Sequence, residues 1–274
     1  MKKSFLQSLP YYLVKIFFIL LIIAPIVIAF CFSFQSESEI ISSKIVWLTK
    51  NPTLDNYRWV FKHTNILTYL KNTLIVCVIV ISAQIVFSSL AAYAFAFFDF
   101  PLKNFLFVVV LMTMMIPSEV TVISNFTKIQ QWGLTDTFAG LALPSLISGM
   151  SIFLMRQFYL TIPKEIKEAS LLDGCSDMRF LFSIAVPLSV PSIASLSIYE
   201  FINIYNAYFW PLMVTNADKM RTVQIGVAML RNPDNPAYGV ILAGVVLVTI
   251  PGIFVMVFGQ EYLIKGMTAG AVKG

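Results

Sequence analysis

Long apolar runs separated by shorter polar stretches dominate this chain, and run length decides what they become. A bilayer core is crossed by about 20 residues of apolar helix. Six segments reach that length: Leu13–Phe34, Asn72–Phe98, Phe105–Ile123, Phe138–Phe158, Val190–Val214 and Gly239–Phe258. The third is the weakest, because Pro117 and Glu119 interrupt it. The pattern predicts an all-α integral membrane protein, with about six transmembrane helices making one transmembrane domain over residues 1–274. Two connections are too long to be plain turns, 35–71 and 159–189. Within the helices, Ser88, Ala92 and Ala96 form a small-residue stripe at a spacing of four, and Gly239 with Ala243 repeats it, so close helix approach is expected there. Pro251-Gly252 predicts a kink in the sixth segment. No internal duplication is visible, which weakens a carrier built on inverted repeats.

Composition agrees with the pattern. Hydrophobic residues make up 58% and charged residues 12% of the chain, against about 25% charged in soluble domains, and the mean hydropathy is +0.81. The net charge of +5 comes from lysines and arginines scattered between apolar runs. They read as helix-flanking anchors rather than a nucleic-acid surface. Three cysteines without a C-x-x-C and a single histidine, His63, provide neither a disulfide framework nor a metal site, and no catalytic constellation. The first apolar run is longer than a signal-peptide core and lacks an A-x-A ending, so it reads as a retained membrane helix. Six helices would put both termini on one side, but charge does not choose it: ten Lys/Arg flank one side and nine the other. Between the first two helices, Pro52–Lys62 reads as a short amphipathic helix, with Trp59 and Phe61 at the interface.

The stretch 159–189 carries the signals of two short helices rather than of a linker. Thr161 is placed to cap the first, with Pro163 in its first turn. Ile166, Ala169 and Ser170 would share a face, and Gly174 would close the helix. Ser176 is placed to cap a second helix with Asp177 in its first turn, and Pro187 and Pro191 delimit the return to the membrane. A helix–turn–helix knob of this kind suits docking onto a partner.

Glu168-Ala169-Ser170, then Gly174, Ile184, Val186 and Pro187, resemble the EAA loop of bacterial ABC importer permeases. That pattern runs Glu-Ala-Ala, three residues, Gly, nine residues, Ile, one residue, Leu-Pro; Ser170 and Val186 are the departures. Asn72-Thr73, Ala91-Tyr93-Ala94-Phe95-Ala96, Met115-Ile116-Pro117, Trp210-Pro211-Leu212 and the tail Lys265–Gly274 are similar to the maltose-type, carbohydrate-uptake permeases. The resemblance implies a multi-pass protein of the bacterial cytoplasmic membrane with both termini cytoplasmic. It implies 35–71 as an extracytoplasmic loop, 159–189 as a cytoplasmic coupling loop and 261–274 as a cytoplasmic tail reaching toward the ATPases. It further implies a homologous second permease, an ATP-binding-cassette ATPase dimer, an extracytoplasmic substrate-binding protein and a lipid surround. Glu168, Ala169, Ser170, Asp173 and Gly174 are then the ATPase-coupling residues. Without G-x-x-x-x-G-K-[ST] or any Gly-Lys pair, the chain lacks that phosphate cradle, so no cofactor is expected on it, and ATP and Mg belong to the partner ATPase.

Four polar residues in apolar segments are candidates for the pathway: Glu119, and the series Glu200, Asn203 and Asn206. Ionisable groups at membrane depth are costly unless they serve a partner or a pathway. Each has a plainer reading, Glu119 as a residue at the outer membrane edge and the Glu200 series as a hydrogen-bonded seam with the second permease. The expected cargo is a carbohydrate. Met115–Val120 and Arg156-Gln157-Phe158 also resemble permeases for glycerol 3-phosphate and its diesters, which stand as the alternative; an ATP-independent channel or secondary carrier is the distant one.

Overall fold

A computed structural model of the chain describes residues 5–42, 47, 49–231 and 237–269. Among them the secondary structure is entirely helical. In chain order the helices are α1 (Phe5–Ser33), α2 (Asp55–His63), α3 (Ile66–Phe97), α4 (Lys103–Thr113), α5 (Ser118–Gln131) and α6 (Phe138–Ala142). They continue as α7 (Gly149–Tyr159), α8 (Lys164–Leu172), α9 (Asp177–Leu188), α10 (Val190–Tyr205), α11 (Phe209–Val214), α12 (Val223–Met229) and α13 (Tyr238–Ala269). Three of these, α1, α3 and α13, are long and apolar enough to cross a membrane unbroken. Three bent pairs, α4–α5 at 92°, α6–α7 at 52° and α9–α10 at 74°, bring the number of candidate spans to six if each is counted as one.

The count of about six spans stands, the break at Pro117 falls where the third segment was expected to be interrupted, and proline accounts for the breaks. Pro117 has no N–H and its ring clashes with the carbonyl four residues back, at Thr113, where α4 ends. The fourth segment passes through a 3₁₀ turn, Leu143–Ser145, that contains Pro144 before α7 restarts. The fifth was expected to run to Val214, but α10 stops at Tyr205 and α11 is separate; Pro211 would clash with a helical carbonyl at Ala207. The second segment was expected to open at Asn72, yet α3 begins at Ile66, because Ile66, Leu67, Tyr69 and Leu70 extend the apolar run. Pro251 does not end α13.

The chain divides into two compact units, Met1–Leu67 with Gly226–Ile250, and Thr68–Ile225 with Pro251–Gly274. In the first, the apolar residues of Tyr11–Ile23 are 44–69% exposed, as a lipid-facing helix requires. Amphipathic α2 forms as expected, with Trp59 and Phe61 about half exposed and Val60 fully buried. Asn56 donates from Nδ2 to the carbonyls of Ser33 and Gln35 at 2.9 and 2.8 Å. A Cβ at Gly239 would lie 2.5 Å from that amide, so this small position admits a side chain from α2. The carboxylate of Glu37 accepts from Tyr238 N and Gly239 N at the start of α13, where the helix dipole favours an anion.

The second unit has two cores. One joins α3, α7, α9 and α10 through Ala92, Tyr93, Met155, Tyr159, Phe180, Leu181 and Leu196. Ser88 and Ala92 of the small-residue stripe are fully buried, and Ala96 packs against this core. The other joins α3, α5, α6 and α11 through Val76, Val80, Ile129, Leu141, Ala142 and Val214. One end of it is pinned by polar groups. Asn72 Nδ2 donates to the carbonyls of Lys219 and Arg221, both at 2.9 Å, and Thr73 Oγ1 accepts from Val223 N at 2.9 Å. The expected tail from Lys265 lies outside the described residues from 270 onward.

Candidate functional site

The knob at 159–189 folds as two helices around a tight turn. Thr161, expected as its cap, instead donates to Phe158 O at 2.7 Å. Pro163, extended at φ −56° and ψ 137°, takes the capping position, and α8 begins at Lys164. The residue that precedes a proline is itself biased away from helix, so Ile162 cannot start it. The end of α8 is a Schellman closure. Gly174 sits at φ +72°, its N–H bonds Leu171 O at 3.0 Å, and Cys175 N–H bonds Ser170 O at 2.9 Å. Ser176 then caps α9, its Oγ accepting from Arg179 N at 3.4 Å. A π-helical stretch, Leu181–Ala185, follows inside α9.

The faces of α8 differ from those expected. Ser170 is buried and donates to Lys167 O at 2.7 Å, whereas Ile166 and Ala169 are exposed. Glu168, Asp173 and Gly174 are exposed as well. Leu172 at the tip is 90% exposed and Leu171 53%. Four of the five coupling candidates are therefore exposed, and Ser170 is buried. Leucines at the tip were not among the candidates, because apolar residues on a helix read as core until burial is known.

The inward face of α8 is anchored by Lys167. Its Nζ donates to Tyr93 Oη at 2.6 Å and to Asp177 Oδ1, and lies 4.5 Å from the centroid of Phe180. Tyr93 Oη donates to the same Asp177 oxygen at 3.0 Å. The Lys167 side chain is only 13% exposed. Burial acts to lower its pKa, but the hydrogen bonds to Asp177 and Tyr93 outweigh burial and the net shift is upward. One ammonium thus ties α8, α9 and α3 together. Sequence reading passed over it, since its partners are 74 and 10 residues away.

A cavity of about 630 Å³ opens in the same unit. It is lined where helices are broken: Thr113, Met114 and Ile116 at the α4–α5 break, Ser145, Ser148 and Gly149 at the α6–α7 break, and Trp210 and Pro211 of α11. Non-helical backbone at membrane depth is tolerated where it is buried in protein or lines a cavity. Gln84 Nε2 takes up one released carbonyl, Ser145 O, at 2.8 Å. Glu200 and Asn203 line the cavity, and Glu200 is 6% exposed. The Ser151 hydroxyl lies 2.5 Å from Gln84 Oε1 and 3.3 Å from Glu200 Oε1. Asn206 does not line the cavity; it donates to Ile202 O at 2.8 Å and accepts from Gln224. Glu119 is exposed in the first turn of α5, beside Ser118, and also lies outside the lining. No group of three or more His, Cys, Asp or Glu is placed to hold a metal ion among the described residues.

Comparison with known proteins places this arrangement. Residues 84–269 match the family described as "Binding-protein-dependent transport system inner membrane component". The arabinooligosaccharides transport system permease protein AraQ of Halalkalibacterium halodurans is 33% identical over 245 residues, 88% of each chain. The sn-glycerol-3-phosphate transport system permease protein UgpE of Brucella melitensis is 33% identical over 265 residues, 93% of this chain and 94% of the relative. A bacterial ABC transporter involved in the import of the acidic polysaccharide alginate contains a chain of the same fold, with a TM-score of 0.84 at 22% identity, covering 96% of this chain and 98% of that one. Family match, relatives and membrane-spanning fold agree: the chain belongs to the binding-protein-dependent transport system inner membrane components, the multi-pass permease subunits of ABC importers.

Proposed function

We propose that this permease forms half of the translocation pathway for a carbohydrate and is driven through 159–189 by an ATPase on another polypeptide. In this reading the loop and both termini are cytoplasmic, a homologous permease supplies the other half, and a substrate-binding protein delivers cargo from outside. ATP and Mg act on the ATPase dimer. The observation that carries the reading is the knob itself. Leu172 stands 90% exposed on a short helix closed by Gly174 and anchored from behind by Lys167. An exposed apolar tip offers a partner a surface to cover, and burying a leucine side chain contributes about 1.5–3 kcal/mol.

The mechanism follows from stiffness. Closure of the ATPases would move α8, and Lys167 would pass that displacement to α9 and α3 because one buried ammonium holds both. Helix α3 lines the cavity through Thr73, Val76, Val80 and Gln84, so its displacement would reshape the pathway. The test is co-purification of the ATPase with Glu168→Lys and Gly174→Pro variants. Reduced association with normal membrane insertion is the expected result, and full association of both would refute docking at this loop. Glycerol 3-phosphate or its diesters are the second reading of the cargo, favoured by relatives such as the Brucella permease. Parallel uptake of labelled sugars and glycerophosphodiesters decides between them.

A further inference from the structure

We infer that this chain itself holds a cargo subsite in the Glu200–Thr222 cavity, selective for an uncharged polyhydroxylated group. The inference rests on the permease reading and extends it by assigning a binding site and a ligand class. Three observations converge on it.

First, the cavity has hydrogen-bonding capacity that the protein leaves unused. Thr222 is 4% exposed and lines the cavity, and its hydroxyl finds no hydrogen-bond partner in the chain. A buried polar atom of this kind calls for an explanation. The Glu200 carboxylate can accept about four hydrogen bonds, yet its neighbours are shared. The single proton of Ser151 also serves Gln84 Oε1 at the shorter distance, and Gln84 Nε2, with one proton on Ser145 O, has one left for Glu200. Asn203, one turn along α10, adds an amide that can both donate and accept.

Second, the lining contains no lysine, arginine or histidine, and its single charged residue is acidic. In a site with low-dielectric walls a carboxylate repels an anion strongly, and a phosphate would need the paired donors that arginine provides. Hydroxyl groups have no such requirement; they donate to Glu200 and exchange hydrogen bonds with Asn203 and Thr222. Third, Trp210 presents an apolar surface whose orientation is set, since its Nε1 donates to Leu141 O at 3.1 Å. A wall that mixes apolar side chains with many hydroxyl and amide groups, in a cavity of this size, suits a hydroxyl-rich small molecule.

The experiment uses the assembled importer in proteoliposomes, with its ATPase, second permease and binding protein. Uptake of a panel of neutral mono-, di- and trisaccharides is compared with uptake of sn-glycerol 3-phosphate and a glycerophosphodiester. Glu200→Gln, Asn203→Ala and the near-isosteric Thr222→Val are then measured on every compound carried. The expected result is transport of a neutral sugar, with its KM raised about tenfold by Glu200→Gln and several-fold by Thr222→Val, as loss of a charged and a neutral hydrogen bond implies. Transport of the phosphorylated compounds instead, of none of the sugars, or a sugar KM unchanged in all three variants overturns the subsite. Failure of the permease reading looks different, as no co-purification with the ATPase or as uptake that does not require ATP.

Discussion

Replacing Lys167 with methionine should loosen the knob without unfolding it. Methionine keeps an apolar stem of similar length and removes the ammonium. Two hydrogen-bonded interactions are lost, the 2.6 Å bond to Tyr93 Oη and the ion pair with Asp177, together with the ammonium's contact with the Phe180 ring. A hydrogen bond from a charged group contributes about 1.5–3 kcal/mol. The Asp177 side chain is 45% exposed, so solvent screens the ion pair to about 0–1 kcal/mol. Together the anchor is worth about 2–3 kcal/mol, a factor of about 30–150 in the local opening equilibrium. Amide hydrogen exchange of 164–172, measured in the assembled importer in lipid nanodiscs, should accelerate by about that factor wherever exchange proceeds through local opening. Tyr93→Phe, which keeps the ring packed against Phe180, should give a smaller change. More ATP should be hydrolysed per solute moved, because the knob no longer carries α3 with it. If exchange in 164–172 is unchanged by Lys167→Met, the anchor is not what holds the loop and the argument fails.

Other expectations follow from the same geometry. Because the folded-state pKa of Lys167 is raised, the anchor is fully present below the unfolded value of about 10.4 and is lost as pH rises through the folded one. Loop protection corrected for intrinsic exchange should therefore be flat between about pH 6 and 9, and a loss within that window would show that another group controls it. Leu172→Asp should leave thermal stability unchanged, since the side chain is already exposed, and weaken ATPase association at least about tenfold in a pull-down titration. Gly174→Ala and Gly140→Ala should differ in kind. A Cβ at Gly174 meets nothing, so only its positive φ is costly, about 1–2 kcal/mol confined to the loop. A Cβ at Gly140 would collide with the carbonyl of Leu134, and the loss of about 1–3 kcal/mol should appear in the thermal melting of the whole chain.

What the sequence determined by itself is what depends on local composition and spacing. Six apolar stretches announce membrane spans because lipid demands about 20 apolar residues whatever they pack against. The knob was legible because capping and glycine closure are local: Ser176 and Gly174 do what their residue types permit within a few positions. Even there, Thr161 yielded its place to Pro163, since two adjacent signals compete and backbone geometry chooses. The tertiary structure decided the rest. Proline marks where a helix is weak, yet the span bends at Pro117 and α13 continues through Pro251, a difference that residue type alone does not record. Burial separated Glu200 and Asn203, which share a cavity, from Asn206 and Glu119, which do not line it. It also brought Lys167 to Tyr93, and placed Thr222 and Glu200 in the lining of one cavity. Those pairings join residues far apart in the chain, and no periodicity along one segment records which distant segment it will meet.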